Sequence, residues 1–464
     1  MTAGTFGKRQ MLETEIKVLL DTFRRLMRRR ARTNLHKLLT KTHPADLSLL
    51  FRYFNELERS TLFNLFKDTP QATEFISELD DSIIVELLEP LEPIEIGHIL
   101  TEISSDDMAD ILNLLPEEKA TAILDTLKKE ESEELEELMA YPEDSAGGIM
   151  SLDVFSLPGT TQAGDAIKTI QESEDAEMVF YLYVTDESNR LSGVISLREL
   201  VTLSPTTELS NIMTHDVVSV TPETDQEEVA RHVSKYNLLA IPVVDKDNTL
   251  LGIVTVDDIV DVIREEASED FLQMAGVGKD REILLKSTWE NARLRLPWLF
   301  ASWVGGTIAA FIIGKFENML ENLVVLAAFI PVIVGMGGNI GTQSSTIIIR
   351  GFATGRIQLA QVGKVILKEI RVGVLLGVFY GFLLGIVAYF KFFDISDPFL
   401  LGLVVGLSIC ASMLIATSIG TLVPIFLRKL NVDPAIASGP FVTTSVDVLG
   451  IFIYFIIAAL ILSH

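Results

Sequence analysis

The residue with the clearest chemical implication is Asp447, an aspartate inside an otherwise uncharged run over residues 434–463. About 20 apolar residues are enough to cross the hydrocarbon core of a bilayer. An unpaired carboxylate at that depth costs on the order of 3 kcal/mol. No lysine or arginine lies within this or the other long uncharged runs to neutralise it. We therefore expect Asp447 to line a water-filled path, to hold a cation, or to be protonated and hydrogen-bonded between helices.

A second polar feature lies inside the uncharged run over residues 322–349. Residues 335–339 read Gly-Met-Gly-Gly-Asn, and a glycine, a threonine and a glutamine follow within four positions. Polar, glycine-rich backbone at membrane depth is tolerated where it is buried in protein or lines a cavity. Close packing of small residues is the alternative explanation. Taken with Asp447, the pattern predicts a cation pathway.

Closely spaced carboxylates are the chemical signature of the preceding part of the chain. Two carboxylates 6 Å apart repel by roughly 3 kcal/mol at an effective dielectric constant of 20. A divalent ion with oxygen ligands, Mg²⁺ or Ca²⁺, would remove that penalty, whereas a solvated acidic face would show the same pattern without a metal. The candidate ligands are Asp106, Asp110, Asp225, Glu227, Asp258, Asp261, Glu266, Glu269 and Asp270.

The charge distribution divides the chain into segments of different character. The 464 residues have a mean hydropathy of +0.36 and a net charge of −26. Residues 42–296 carry −36 of that charge, residues 1–41 carry +8, and residues 297–464 carry +2. These values exclude a simple soluble enzyme, a fibrous protein and a disordered chain. The acidic excess argues against a nucleic-acid partner, and the single cysteine, Cys410, excludes an internal disulfide and a cysteine-based zinc site.

Five long apolar runs predict five membrane-spanning helices. Lysine and arginine in short loops mark the cytosolic side, and they concentrate in the loops after the second and fourth runs. The N-terminus is therefore predicted to be cytosolic and the C-terminus to lie outside, in a multi-pass protein of the cell (plasma or inner) membrane. The runs occupy residues 297–314, 322–349, 372–390, 398–427 and 434–463.

The segment before the membrane region contains an internal repeat. Residues 181–201 and 240–260 align at a spacing of 59, and each copy reads as strand, turn, strand, helix. The repeat resembles a pair of CBS domains, which implies an α/β fold and either a bound adenosine nucleotide such as ATP or a bare dimerisation module. Upstream, short amphipathic segments with Pro, Ser or Asp at their starts predict an all-α helical superhelix.

These parts predict a multi-domain membrane protein with five regions in order. Residues 1–36 form a basic amphipathic segment that could contact anionic lipid or the acidic domain beside it, and residues 37–145 form the acidic helical domain. Residues 146–270 hold the CBS pair, residues 271–296 form a connecting helix, and residues 297–464 form an all-α domain with five transmembrane helices.

The order of parts resembles the MgtE family of magnesium channels over essentially the whole chain. The telling segments are PVIVGMGGNIGTQS at 331–344, NVDPAIASGPFVTTSVDVLG at 431–450, YPEDSAGGIMS at 141–151 and DDIVDVIREEASEDF at 257–271. The resemblance implies a homodimer with one pore on its twofold axis. It also implies a protein that is not an enzyme, with the lipid bilayer and Mg²⁺ as its partners.

The resemblance assigns roles to individual residues. Asp447 from both subunits would hold a hydrated Mg²⁺, with Asp433 at the cytosolic mouth and Asn339 in the pore lining. Tyr181 and Arg198 match positions that contact nucleotide in the first repeat. The nine acidic residues given above match metal-binding or acidic positions of the family. The sequence departs from the family at Asn237, where a metal-binding acid is expected, and at Gly439, which replaces a polar residue at the pore mouth.

The sequence therefore predicts a Mg²⁺-selective channel that carries Mg²⁺ down its electrochemical gradient and closes when cytosolic Mg²⁺ binds the acidic domains. A proton- or Na⁺-coupled divalent-cation carrier is the main alternative, because Asp447 could then act as a titrating relay. A membrane-anchored nucleotide sensor that transports nothing is a further alternative, although an anchor alone has no use for a charge at that depth.

Overall fold

We describe the chain from a computed structural model. The described residues are 13–101, 103–172, 180–277, 283, 286–393, 397–437 and 439–462. The chain divides into two compact units, Met1–Val262 and Ile263–His464.

The first unit contains thirteen complete helices and two small sheets among its described residues, and a further helix, α14, continues beyond it. The helices are α1 Glu13–Arg28, α2 Arg32–Leu39, α3 Pro44–Phe51, α4 Glu56–Phe63, α5 Pro70–Ser77, α6 Asp81–Leu88, α7 Pro93–Leu100, α8 Ser105–Leu114, α9 Glu117–Leu124, α10 Lys129–Leu138, α11 Ala163–Glu172, α12 Leu197–Thr202, α13 Gln226–Tyr236 and α14 Val256–Met274. The strands are β1 Ser156–Pro158, β2 Tyr181–Thr185, β3 Leu191–Ser196, β4 Ala240–Val244 and β5 Leu250–Thr255.

Helices α2 to α10 form a repeating arrangement of short helices, in agreement with the predicted helical superhelix. Proline at the first helical position begins α3, α5 and α7, because its missing N–H would be unpaired there in any case. Ion pairs join neighbouring repeats at a nearly constant sequence separation of 27 or 28 residues. The pairs are Arg52–Asp80, Arg59–Glu86 and Lys67–Glu95.

The two strand–turn–strand repeats have the same register. In the first sheet, β1 runs parallel to β2 and β2 runs antiparallel to β3, with Tyr181 opposite Ser196. In the second sheet, β4 runs antiparallel to β5, with Ala240 opposite Thr255. Each partner in the second sheet lies 59 positions after its counterpart, so the predicted α/β repeat is confirmed.

The hydrophobic core of the first unit joins the helical region to the second repeat. One continuous cluster includes Phe51 and Phe75 of the short helices together with Val229 and Val254 of the second repeat. The first repeat has a separate core around Leu182 and Leu200. Because burial of apolar surface stabilises a fold in proportion to its area, the helical region and the second repeat are stabilised as one body.

The second unit contains the five long apolar helices that the sequence predicts. Among the described residues, five helices are long and apolar enough to cross a membrane. The helices are α15 Thr288–Lys315, α16 Glu317–Asn322, α17 Ile330–Ala353, α18 Val362–Lys391, α19 Pro398–Lys429 and α20 Pro440–Leu462, and the 3₁₀ segment Val324–Phe329 extends α17. Further 3₁₀ turns occupy Leu209–Asn211, Leu359–Gln361 and Pro434–Ala437.

A stripe of glycines brings α18 and α19 into backbone contact. Gly377, Gly381 and Gly385 recur every four residues along α18, and their α19 neighbours are Cys410, Gly406 and Gly402. A methyl group added at Gly381 would lie 2.5 Å from the carbonyl oxygen of Gly406. Small residues at helix interfaces are a common means of close approach inside a bilayer, where the hydrophobic effect does not drive helices together.

The remaining helices are joined through α20. Gly305 of α15 lies against Thr444 of α20, and the buried hydroxyl group of Tyr454 donates a 2.8 Å hydrogen bond to the carbonyl oxygen of Leu326. Helix α20 therefore contacts both the first transmembrane helix and the segment that extends the second.

Several predicted segments differ in extent from the helices of the structure. The first apolar run was expected over residues 297–314, whereas its helix begins at Thr288 and includes Pro297. The predicted connecting helix over 271–296 falls on the end of α14 and the beginning of α15, and its residues 278–282, 284 and 285 lie outside the described residues. Residues 1–12 of the predicted basic segment also lie outside them. The described remainder forms the beginning of α2 and the whole of α1, whose Phe23 packs edge-on against Phe54.

Substitution of Gly381 by valine should destabilise the second unit, because overpacking at a close contact costs about 1–3 kcal/mol. The measurement is the apparent melting temperature of the purified chain in detergent. Gly363, on the same helix, has no atom within 4 Å of an added Cβ, so Gly363→Ala is the control and should melt like the wild type. Equal melting temperatures for Gly381→Val and the wild type would contradict the assigned packing.

Candidate metal sites

Hydrogen bonds fix the N-terminus of α8 beside the second repeat. The backbone N–H of Leu152 donates to the hydroxyl oxygen of Ser105 at 2.8 Å. Ser151 in turn exchanges two backbone hydrogen bonds with Ile253 of β5, at 2.8 and 2.9 Å. Strand β5 leads directly into α14, so the acidic first turn of α8 and the acidic first turn of α14 are held in the same region.

The first two turns of α8 and the first turn of α14 together form a group of carboxylates, which we call the acidic cluster: Asp106, Asp107, Asp110, Asp257 and Asp258. Asp106 is 7% exposed, and its Oδ1 has no hydrogen-bond partner among the described residues. The hydroxyl group of Thr255 donates to both Asp257 and Asp258. Asp107 and Asp257 were not predicted from the sequence. Asp107 directly follows the predicted ligand Asp106 and Asp257 directly precedes Asp258, so neither belongs to the helical spacing from which the candidate ligands were chosen.

Burial and mutual repulsion raise the pKa of the carboxyl groups in the acidic cluster. Burial raises the pKa of Asp106 to about 6, and the charge of Asp107 adds to the effect. Burial and the charge of Asp258 raise the pKa of Asp107 to about 6. Burial and the charge of Asp106 raise the pKa of Asp258 to about 7. Desolvation and the charges of Asp106 and Asp107 also raise the pKa of Asp110, although that residue as a whole is exposed.

The other predicted ligands of the first unit and of α14 occupy different surroundings. Asp225 caps α13, where its carboxylate accepts a 2.9 Å hydrogen bond from the backbone N–H of Glu227. Glu269 accepts a 2.7 Å hydrogen bond from the Nε2 of buried Gln273. Helix α14 also carries Asp261, Glu266 and Asp270. No group of three His, Cys, Asp or Glu side chains among the described residues has a geometry that would hold a metal ion directly.

The membrane unit places Asp447 beside the glycine-rich part of α17. A methyl group added at Gly338 would lie 3.7 Å from the Oδ1 of Asp447. The two neighbouring glycines, Gly337 and Gly341, lie against Val446 and the side chain of Val442 on the same face of α20. The close approach of α17 and α20 therefore requires small residues, and it leaves Asp447 half-buried at the edge of this contact.

Polar residues on α17 form an exposed stripe. Gly335, Asn339 and Gln343 follow one another at four-residue spacing, and all three are exposed in the single chain. Four residues correspond to about one helical turn, or roughly 6 Å. The predicted pore-lining residue Asn339 is thus at the centre of a polar face that the described part of the chain does not cover.

The start of α20 meets the end of α14 within the second unit. A methyl group added at Gly439 would lie 2.6 Å from the carbonyl oxygen of Met274, and Pro440 lies against Gly276. Close by along the chain, Asp433 accepts a 2.9 Å hydrogen bond from the backbone N–H of Ala435, so its carboxylate begins the turn before α20. Gly439 has a structural reason to be glycine, because a side chain would collide with this backbone.

The predicted nucleotide contacts lie in the first repeat. The hydroxyl oxygen of Tyr181 accepts a long, 3.4 Å hydrogen bond from the backbone N–H of Leu239, so it connects the two repeats. Arg198 is exposed on α12. The phenol of Tyr183 is buried between the repeats, and its oxygen has no hydrogen-bond partner among the described residues.

Three family models match successive parts of the chain. The model described as the MgtE intracellular N domain matches residues 42–144. The CBS domain model matches residues 146–205 and 209–265. The model described as a divalent cation transporter matches residues 330–457.

Similar proteins and structures cover most of the chain. The magnesium transporter MgtE of Bacillus subtilis is 42% identical over 329 residues, which is 71% of this chain and 72% of that protein. The magnesium transporter MgtE of Thermus thermophilus is 40% identical over 333 residues, with 71% and 72% covered. A crystal structure of the cytosolic domain of the Mg²⁺ channel MgtE in complex with ATP superposes with a TM-score of 0.50 and 34% identity, covering 52% of this chain and 99% of that chain.

Stability of the metal-free chain should fall as pH rises from about 4 to about 7. A buried acid whose folded-state pKa exceeds its unfolded value binds its proton more tightly in the folded state, so deprotonation is destabilising. The rise for Asp106, from 3.8 to about 6, corresponds to about 3 kcal/mol. The measurement is the free energy of unfolding of the first unit, in the full chain with EDTA, as a function of pH.

Asp106→Asn is the informative variant for this pH dependence, because the neutral amide keeps the shape of the side chain and cannot ionise. Its stability should fall less steeply across the same pH window. If the wild type and Asp106→Asn had parallel pH profiles, the buried acidic cluster would not be the cause.

Proposed function

This chain belongs to the MgtE family of magnesium transporters, and we propose that two copies of it form a Mg²⁺ channel whose pore contains Asp447 from both subunits. The family transports Mg²⁺ and is not a family of enzymes. The proposal adds to this the homodimer, the channel mechanism, closure by cytosolic Mg²⁺ and a C-terminus outside the cell.

The observation that carries the proposal is the uncovered polar stripe of α17 next to Asp447. Asn339 and Gln343 are exposed at membrane depth, where polar groups facing lipid are strongly disfavoured. A second copy of the chain with water between the two would remove both side chains from lipid. Asp447 of α20 lies beside Gly338, which directly precedes Asn339 on α17. The water-filled space would therefore contain a carboxylate from each copy.

A hydrated Mg²⁺ suits such a pore. Mg²⁺ gives up its water reluctantly and is commonly bound through retained water molecules. Carboxylates and amide oxygens can therefore hold its water shell without direct coordination, which is consistent with the lack of a three-ligand site among the described residues. Entry needs no chemical energy source, because two charges release roughly 4.6 kcal/mol for each 100 mV of inward-negative potential.

The acidic cluster supports closure by cytosolic Mg²⁺. Without a cation, the carboxylates of Asp106 and Asp258 repel each other and resist ionisation. A divalent ion among them reverses the sign of that interaction and favours the compact arrangement. Helix α14 begins at this cluster and ends at Met274, whose carbonyl oxygen lies against Gly439 at the start of α20. Binding at one end of α14 would thus bias the position of the pore helix at the other.

The CBS pair is proposed to bind ATP as a regulator. The structurally similar cytosolic domain was solved in complex with ATP, at 34% identity. Tyr181, at the beginning of β2, offers an aromatic ring and a hydroxyl group, and Arg198 on α12 offers an exposed guanidinium group for phosphates. ATP bound at this site would protect Tyr181 and Arg198 from chemical modification, whereas ATP bound elsewhere would leave them as accessible as before.

Asp447→Asn should lower Mg²⁺ flux into liposomes by at least about tenfold, because the amide removes a charge that attracts the hydrated ion. Asp397→Asn makes the same chemical change at an exposed position at the start of α19 and should conduct like the wild type. Wild-type flux in Asp447→Asn would exclude this pore. Flux that requires a proton or Na⁺ gradient in the wild type would favour the coupled carrier instead.

Neutralising Asp258, Asp261 and Glu266 together should raise the internal Mg²⁺ concentration needed for half-maximal inhibition of flux by about tenfold or more, because α14 then has three fewer carboxylates to attract the ion. The matched variant neutralises Glu133, Glu134 and Glu136, which are exposed on α10. It removes the same number of charges and should leave inhibition unchanged. Equal inhibition in both triple variants would contradict the sensor.

A further inference from the structure

Glu369 is a second acidic residue inside the membrane unit, and the pore mechanism above does not use it. It lies on α18, and only 5% of its surface is exposed. The hydroxyl group of Ser344 on α17 donates a 3.1 Å hydrogen bond to its Oε2. The sequence places Glu369 between the basic residues Lys368 and Arg371, both exposed, and no described residue forms an ion pair with it.

The glycine stripe explains why Glu369 points inward. Gly373, Gly377 and Gly381 face α19 at four-residue spacing, and Glu369 is the next position of the same series. Residues at this spacing share one face of a helix. The face that brings α18 against α19 therefore carries the carboxylate into the bundle, whereas its basic neighbours remain outside.

The antiparallel register of α18 and α19 places Glu369 in polar surroundings. Gly373 of α18 lies against Thr417 of α19. Because the two helices are antiparallel, Glu369, one turn before Gly373, is at the level of Thr421, one turn after Thr417. Thr421 is fully buried, and its hydroxyl oxygen has no hydrogen-bond partner among the described residues. On the same helix, Pro424 cannot donate to the carbonyl oxygen of Gly420.

A close approach of α17 and α19 allows Glu369 to reach Ser344. A methyl group added at Gly420 would lie 2.2 Å from the carbonyl oxygen of Gly341. Ser344 follows Gly341 by about one turn of α17. The carboxylate of Glu369 can therefore extend past the small residues of α19 and join α18 to α17, two helices whose backbones do not themselves pack closely.

The position of Ser344 on α17 relates this hydrogen bond to the pore. Ser344 follows Asn339 by five residues, which is about 140° around the helix axis. It is thus on the buried side of α17, and Asn339 is on the exposed polar stripe. A fixed contact on the buried side sets the rotation of the helix and hence the direction of the stripe.

We propose that Glu369 is a positioning residue, whose hydrogen bond to Ser344 fixes the rotation of α17 so that Asn339 faces the pore. The proposal rests on the proposed function, because it assumes a pore between two copies. The hydrogen bond, rather than the negative charge, carries the role. A glutamine at position 369, which also offers an oxygen acceptor, should therefore replace the glutamate.

The first test measures Mg²⁺ flux and the ratio of Mg²⁺ to Ca²⁺ flux in liposomes. Glu369→Ala and Ser344→Ala should each lower flux by about tenfold and reduce the ratio, because a lost hydrogen bond lets the pore-lining amide turn away. Glu369→Gln should keep flux and ratio near wild type. The matched control is Ser408→Ala, which removes a buried hydroxyl of α19 that has no hydrogen-bond partner among the described residues, and it should behave like the wild type.

The second test measures the direction of α17 without measuring transport. In a chain with Cys410→Ala and Asn339→Cys, the new cysteine should form a disulfide between two copies under mild oxidation. Adding Ser344→Ala, which removes one oxygen atom and leaves the bundle otherwise intact, should slow this cross-link several-fold, as expected when one anchoring contact of a helix is lost. Glu369→Gln should not slow it.

Three outcomes would overturn the proposal: wild-type flux and cross-linking in Ser344→Ala, wild-type flux in a folded Glu369→Ala, or a Glu369→Gln as inactive as Glu369→Ala. The last result would assign the role to the charge itself. Failure of the proposed function is distinguishable, because it would appear as wild-type flux in Asp447→Asn or as no cross-link in the parent cysteine chain. If Glu369→Ala does not fold, Ser344→Ala still decides.

Discussion

A carboxylate taken out of water without a basic partner needs a proton, a cation or a well-placed donor, and this constraint recurs in both units of the chain. In the first unit it applies to Asp106 and Asp258, whose raised pKa values reflect burial among like charges. In the second it applies to Asp447 and Glu369. These carboxylates are stabilised in different ways, and we relate each way to a different proposed role.

Close backbone packing determines whether a buried carboxylate can be stabilised by a hydrated cation or only by a hydrogen-bond donor. Gly337 and Gly341 let α17 approach α20, which leaves Asp447 half-buried at the edge of the contact. Gly373 and its successors let α18 approach α19, which carries Glu369 fully inside, within reach of Ser344. An acid at the edge can meet water and a hydrated ion, whereas an acid in the interior can serve only through a hydrogen bond or a dehydrated partner. In the proposed pore, the glycine positions thus decide which carboxylate is available to the transported ion.

The features that the sequence predicted are those with local causes. Length and hydropathy predicted the five spans, and the 59-residue repeat predicted the strand–turn–strand unit that begins at Tyr181 and recurs at Ala240. Asp447 was evident because an acid in an apolar run is conspicuous. The first span was expected to begin at residue 297 because the apolar run begins there, but the helix begins at Thr288, since backbone hydrogen bonding continues through the charged residues before it.

The features that the sequence missed depend on faces and on distant neighbours. No role was predicted for Glu369, because it precedes the third apolar run, which begins at residue 372, whereas helix α18 begins at Val362. The signal was present as the four-residue series that Glu369 shares with Gly373 and Gly377. Asp107 and Asp257 join the acidic cluster only because Ser105, Leu152 and Ser151 hold two distant chain segments together, and no local pattern encodes such a contact.

The acidic cluster and the pore differ in what competes with the ion. With pKa values near 6 and 7, Asp106 and Asp258 exchange protons close to cytosolic pH. In the proposed sensor, Mg²⁺ would displace protons from the cluster, and its apparent affinity would fall as pH falls. Such a sensor would respond to the ratio of Mg²⁺ to protons rather than to Mg²⁺ alone. The proposed pore carboxylate, Asp447, would have a different requirement, since an ion held through its water shell leaves readily, and rapid departure is what conduction demands.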